Sequence, residues 1–154
     1  MSTRNKRIKK EIIELVKYNV VLEENWENQN EVTIKLIYDN EKLSLVIYNN
    51  YPFVSPKLYI HPNKNEMRMN YIEWFIKNKP IYNEIKQNLN ITVECACCNT
   101  ITCLWAPTMK METVLQEYIE YHEKYKKLNQ IKEIYNKLSR FDNLIYKHIF
   151  DFLY

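Results

Sequence analysis

Polar and apolar positions alternate most sharply in the first third of the chain. Over Glu31–Tyr38, Val32, Ile34 and Leu36 share one parity while Thr33 and Lys35 share the other. A period of two is the signature of a half-buried strand. Leu43, Leu45 and Ile47 repeat the pattern over residues 43–48, and Asp39-Asn40-Glu41-Lys42 reads as the hairpin turn between the two runs. Residues 20–26 form a weaker strand candidate ahead of them. Residues 57–60 form a fourth behind them, entered through a corner bracketed by Pro52 and Pro56. The connections are too short for parallel crossovers, so an antiparallel meander of four strands is expected.

The period lengthens at both ends. Ser2 or Thr3 can cap a helix running to about Tyr18, with Ile8, Ile12, Leu15 and Val16 as its apolar stripe and Arg4, Lys6, Arg7, Lys9 and Lys10 on its other faces. Residues 71–77 and 81–89 read as two helical pieces separated by Pro80. Residues 91–96 are again extended. Beyond Pro107, Met111, Val114, Leu115, Tyr118, Ile119, His122, Tyr125 and Leu128 trace one helical face, which Ile131, Ile134, Tyr135 and Leu138 prolong. His122 on this stripe reads as a packed, hydrogen-bonded histidine. A helix, four strands and then helices predict an α+β domain with helices at the ends of an antiparallel sheet.

Composition narrows the function classes. A chain of 154 residues with 46% hydrophobic and 14% aromatic residues is expected to form one domain with a sizeable core. A net charge of +3 with intermixed signs argues against a dedicated nucleic-acid binder. No apolar run approaches the ~20 residues of a membrane span, and the charged N-terminus lacks an apolar signal core. The expectation is a protein of the cytoplasm or nucleus with neither nucleic acid nor membrane as partner. Glycine is absent, which removes every glycine-dependent nucleotide motif. It also passes left-handed turn positions to asparagine, with Asn40, Asn49, Asn50 and Asn63 at expected turns. The bias toward Asn, Ile, Lys and Tyr resembles AT-rich coding, as in some large DNA viruses or parasites, where the compartment would be the host cell's.

Three motifs occur in a meaningful order. Arg7-Ile8-Lys9-Lys10-Glu11-Ile12 lies in the first helix, Tyr51-Pro52-Phe53 and Pro56-Lys57 form the corner, and Trp105-Ala106-Pro107 precedes a helix with Val114-Leu115. Together they resemble the skeleton of the ubiquitin-conjugating enzyme family over most of residues 3–128. The resemblance implies one domain over residues 1–154, with a helical insertion at 64–90 and a C-terminal helical extension at 129–154. It further implies that Arg4 and Arg7 on the basic helix dock an activating enzyme. Phe53, Ala106 and Pro107 would meet a ubiquitin ligase, and a cysteine thioester would carry ubiquitin or a ubiquitin-like protein. Counting back from Trp105 by the family's usual separation reaches Cys97 as the nucleophile, with Cys98 its rival after a one-residue indel. Sulfur suits the role because a thiolate is nucleophilic and leaves readily. The family's His-Pro-Asn motif precedes its cysteine closely. Here His61-Pro62-Asn63 stands beside the corner instead, and Asn99 is nearer to the thiol in sequence.

The four cysteines Cys95, Cys97, Cys98 and Cys103 crowd into one short segment, which keeps other readings open. Cys95-x-x-Cys98 has the spacing of a zinc knuckle that Cys97 and Cys103 could complete. Against this, an adjacent pair strains a single tetrahedron. Buried structural thiols are the third reading. The alternative function is therefore a catalytically inactive variant of the family, acting as a binding module with a structural or zinc-bound cluster.

Overall fold

The structure, a computed structural model, describes residues 2–22, 26–61, 69–89 and 100–137. The chain divides into two compact units, Met1–Glu73 with Asn99–Glu117, and Trp74–Cys98 with Tyr118–Tyr154.

The first unit opens with helix α1 (Thr3–Leu15). The Ser2 side chain caps it by accepting from the Asn5 N–H, and a 3-10 turn, Val16–Tyr18, ends at Asn19 in the left-handed region. The strands β1 (Val21–Leu22), β2 (Glu31–Tyr38), β3 (Glu41–Tyr48), β4 (Lys57–His61) and β5 (Met69–Asn70) follow. They pair in sequence order and every pair is antiparallel. The fold is thus α+β, with an N-terminal helix, the expected antiparallel meander and C-terminal helices; β5 is an added two-residue strand. Asp39 and Asn40, at φ 49° and 64°, form the tight turn between β2 and β3, so pairing begins at Tyr38↔Glu41. Two successive left-handed residues match the twist of the strands, which is why the turn needs two residues and not four. Asn49 and Asn50 also lie in a turn, but neither has a positive φ.

The alternation read from the sequence becomes the core. Val32, Ile34, Leu36, Leu43, Leu45 and Ile47 are all buried, together with Ile8, Leu15, Leu58, Met111, Val114 and Leu115 of the same unit. In α1 the inward face differs from expectation. Glu11 is buried while Ile12 is half-buried and Val16 exposed. The reason is chemical: three donors satisfy the Glu11 carboxylate, so its burial is compensated.

The second unit contains most of helices α2 (Tyr71–Leu89) and α3 (Met111–Lys137). Pro80 was expected to separate two helices, yet it lies inside α2. Proline removes the bond to the carbonyl four residues back, here on the exposed Ile76, where water can take the donor's place. Trp74 packs edge-on against Tyr118 and Tyr125 at centroid distances of 5.8 and 5.1 Å. His122 is buried beside Trp74 and Tyr118, as its place on the stripe predicts. Among the described residues no helix is long and apolar enough to cross a membrane.

Candidate functional site

The corner at residues 51–56 and the loop before α3 form one assembly, built on α1. The Tyr51-Pro52 peptide is cis. The turn closes through Tyr51 N–H to the Tyr48 carbonyl at 3.1 Å and Phe53 N–H to the Asn50 carbonyl at 2.9 Å. Ser55 and Pro56 are buried behind it. Anchored on both sides, the corner turns Phe53 outward at 77% exposure with Val54 beside it.

Trp105 ties this corner to the second loop. Its indole Nε1–H donates to the Pro52 carbonyl at 2.7 Å, and its ring lies 6.1 Å from that of Tyr51. The residue next to Phe53 is therefore bonded to the residue next to Ala106, and Pro107 follows, exposed. Leu104 is exposed as well. Phe53 and Pro107 are exposed and Ala106 is half-buried, on two loops that the Trp105–Pro52 hydrogen bond joins.

Arg7 holds the loop from the helix side. Its guanidinium donates to the Pro107 and Met109 carbonyls, each at 2.5 Å, and its Nε to Glu11 Oε1. Glu11 Oε2 accepts from the Tyr51 hydroxyl at 2.6 Å and from the Met111 N–H at 2.7 Å. The second of these satisfies an orphan donor at the start of α3. Arg4 donates to the carbonyls of Gln29, Asn30, Ile47 and Tyr48 at one end of the β2–β3 pair. Both arginines expected to dock a partner are therefore engaged inside the molecule. Lys6, Lys9 and Lys10 are the exposed cations of the helix, with Lys9 paired to Glu27.

Sequence reasoning missed Glu11. A carboxylate four residues after Arg7, on the apolar side of the stripe, was the available signal.

A second network fixes the segment entering this loop. The Tyr71 hydroxyl lies 2.6 Å from Thr102 Oγ1 and donates to Glu117 Oε2 at 2.9 Å, while Glu117 Oε1 accepts from the Ile101 N–H at 2.8 Å. Thr100 Oγ1 donates to Cys103 Sγ at 3.3 Å, and Cys103 is an exposed free thiol. Cys95, Cys97 and Cys98 lie outside the described residues. Of the zinc-ligand set only Cys103 is described. His61 Nε2 is 2.7 Å from Ser44 Oγ, and Pro62 and Asn63 lie outside the described residues.

Burial, and then the nearby Glu11 carboxylate, raise the Tyr51 pKa. Burial likewise raises that of Tyr71, with Glu117 adding to the effect. A phenol held above its unfolded value of about 10 keeps its proton longer when folded. Its contribution is complete below that value and is lost progressively as pH rises from it toward the raised folded pKa, because the unfolded chain ionises first. Urea midpoints should therefore fall from about pH 10 upward, and Tyr51→Phe with Tyr71→Phe should flatten that fall. An equally steep fall in the double variant would show that other groups set the alkaline limit.

Comparison with protein-family models, with curated proteins and with solved structures found no match in any of the three.

Proposed function

We propose that this chain is a ubiquitin-conjugating-like protein that carries ubiquitin, or a ubiquitin-like protein, as a thioester on Cys97. Its Phe53, Ala106 and Pro107 face a ubiquitin ligase. In the cytoplasm or nucleus, the Cys97 thiolate attacks the thioester carbonyl carbon on the activating enzyme, whose own cysteine leaves as thiolate. No electrons change hands. A substrate amine then attacks the new thioester, loses its proton to solvent, and Cys97 departs as thiolate. The supporting observation is the Phe53 corner. A large aromatic side chain 77% exposed, on a turn hydrogen-bonded to Trp105, gives apolar contact area with little ordering left to do on docking.

A second reading has its own support. Arg4 and Arg7 are both engaged by internal carbonyls, which favours an inactive variant that binds through Phe53 without being charged by an activating enzyme. In that variant Cys95, Cys97, Cys98 and Cys103 are structural or hold zinc.

One assay separates the two. With activating enzyme, ubiquitin and ATP, the wild type should give a reductant-sensitive adduct, Cys97→Ala none, and Cys97→Ser a more stable oxyester. Phe53→Ala should load normally but discharge to a ligase roughly tenfold more slowly, as expected for a central aromatic contact. An adduct that survives Cys97→Ala defeats the assignment of the nucleophile. No wild-type adduct, with about one zinc per chain as a closed thiolate site requires, establishes the second reading.

A further inference from the structure

We infer that Glu11 is a positioning residue of the Phe53 surface, a buried carboxylate on which the corner and the loop before α3 are both aligned. The inference rests on reading that surface as the docking site. Glu11 is only 4% exposed. Its two oxygens serve three donors from three parts of the chain. Oε1 takes Arg7 Nε, while Oε2 takes both the Tyr51 hydroxyl and the Met111 N–H. Tyr51 precedes Pro52, whose carbonyl receives Trp105. Arg7 continues onward to the Pro107 and Met109 carbonyls. Each side of the exposed surface is thus one step from the same carboxylate.

The donor count explains why an acid is needed there. A carboxylate is acceptor-only on both oxygens, whereas a glutamine has one acceptor and one donor end. With the glutamine oxygen in the Oε2 place, its NH2 faces the Arg7 Nε–H, and the arm to Pro107 and Met109 is released. With the oxygen in the Oε1 place, the NH2 faces the Met111 N–H. Only the Tyr51 hydroxyl can reverse and accept. Either orientation leaves one donor without a partner. Glu11→Gln therefore keeps the shape and volume of the side chain but breaks the alignment.

The test compares two sites in the same molecule by hydrogen exchange of the folded full-length protein. In Glu11→Gln, exchange of the Trp105 indole N–H should rise roughly tenfold more than that of the Leu45 amide in β3, whose rate reports the global cost of the stranded donor. Tyr51→Phe, which removes one of the three donors and leaves the carboxylate, should give a smaller change in the same direction. With a ubiquitin ligase domain that discharges the wild-type thioester, Glu11→Gln should raise the KM for that domain and leave the rate of loading unchanged. A purely structural role would speed exchange at Trp105 and Leu45 together and slow loading and discharge alike. That result, or unchanged exchange at Trp105, overturns the inference. If no ubiquitin ligase domain discharges the wild type, the docking reading falls, and the exchange comparison still decides whether Glu11 aligns the two loops.

Discussion

Glu11→Ala should destabilise the folded protein by about 3–5 kcal/mol, the range observed when one partner of a buried charged pair is removed. The substitution leaves the Tyr51 hydroxyl and the Met111 N–H without their acceptor, and frees Arg7 Nε at the start of the arm to Pro107 and Met109. Each stranded buried donor costs about 1–3 kcal/mol. Glu14, one turn further on, offers the contrast. It pairs with Lys110, whose side chain is 54% exposed, and Glu14→Ala should cost less than about 1 kcal/mol. Urea unfolding of both variants measures the difference. A loss below about 1 kcal/mol at Glu11 would mean that its three hydrogen bonds are matched by equally good ones to water in the unfolded chain.

Leu45→Ala should cost about 3 kcal/mol. Leu45 is fully buried on the central strand, opposite Ile34 of β2 and Leu58 of β4, so its removal opens a space that paired strands cannot close. Ile37 has opposite parity on β2 and is 45% exposed, and Ile37→Ala should stay within about 0.5 kcal/mol of wild type. The pair tests register as well as burial, since a slip of one residue exchanges the two faces. Equal losses at both positions would contradict the pairing of β2 with β3.

The same alternation explains what the sequence made legible. β2 has one exposed face and writes its orientation into every second residue, so Val32, Ile34 and Leu36 could be assigned to the core without tertiary information. β3 buries Ser44 and Val46 beside Leu43, Leu45 and Ile47, and its alternation did not announce those two. The motif residues Tyr51, Pro52, Phe53 and Trp105 also announced a corner and a loop, because prolines and a lone exposed aromatic leave few alternatives. The contents of α1 were less legible. Periodicity alone gave Ile12 the inward place that Glu11 occupies, because a hydrophobic pattern carries no information about donors arriving from residues 51 and 111. Arg4 and Arg7 read as part of an outward basic face for the same reason. Their acceptors are backbone carbonyls, and any residue type supplies those. Pro80 was read as a break because local rules weigh the lost hydrogen bond, but not the packing of Tyr71 and Phe75 that precedes it in α2. The cysteines, on which thioester chemistry would turn, lie outside the described residues apart from Cys103.

The absence of glycine acquires a meaning from the backbone. Among the described residues only Asn19, Asp39 and Asn40 adopt a positive φ, and all three are of the two types whose short polar side chains tolerate that region best. An antiparallel meander with one two-residue hairpin makes few demands of this kind among the described residues. Such an architecture can survive a drift in codon usage that would dismantle a fold rich in phosphate loops or tight crossovers. In that sense the described turns of this chain need no glycine to hold their shape.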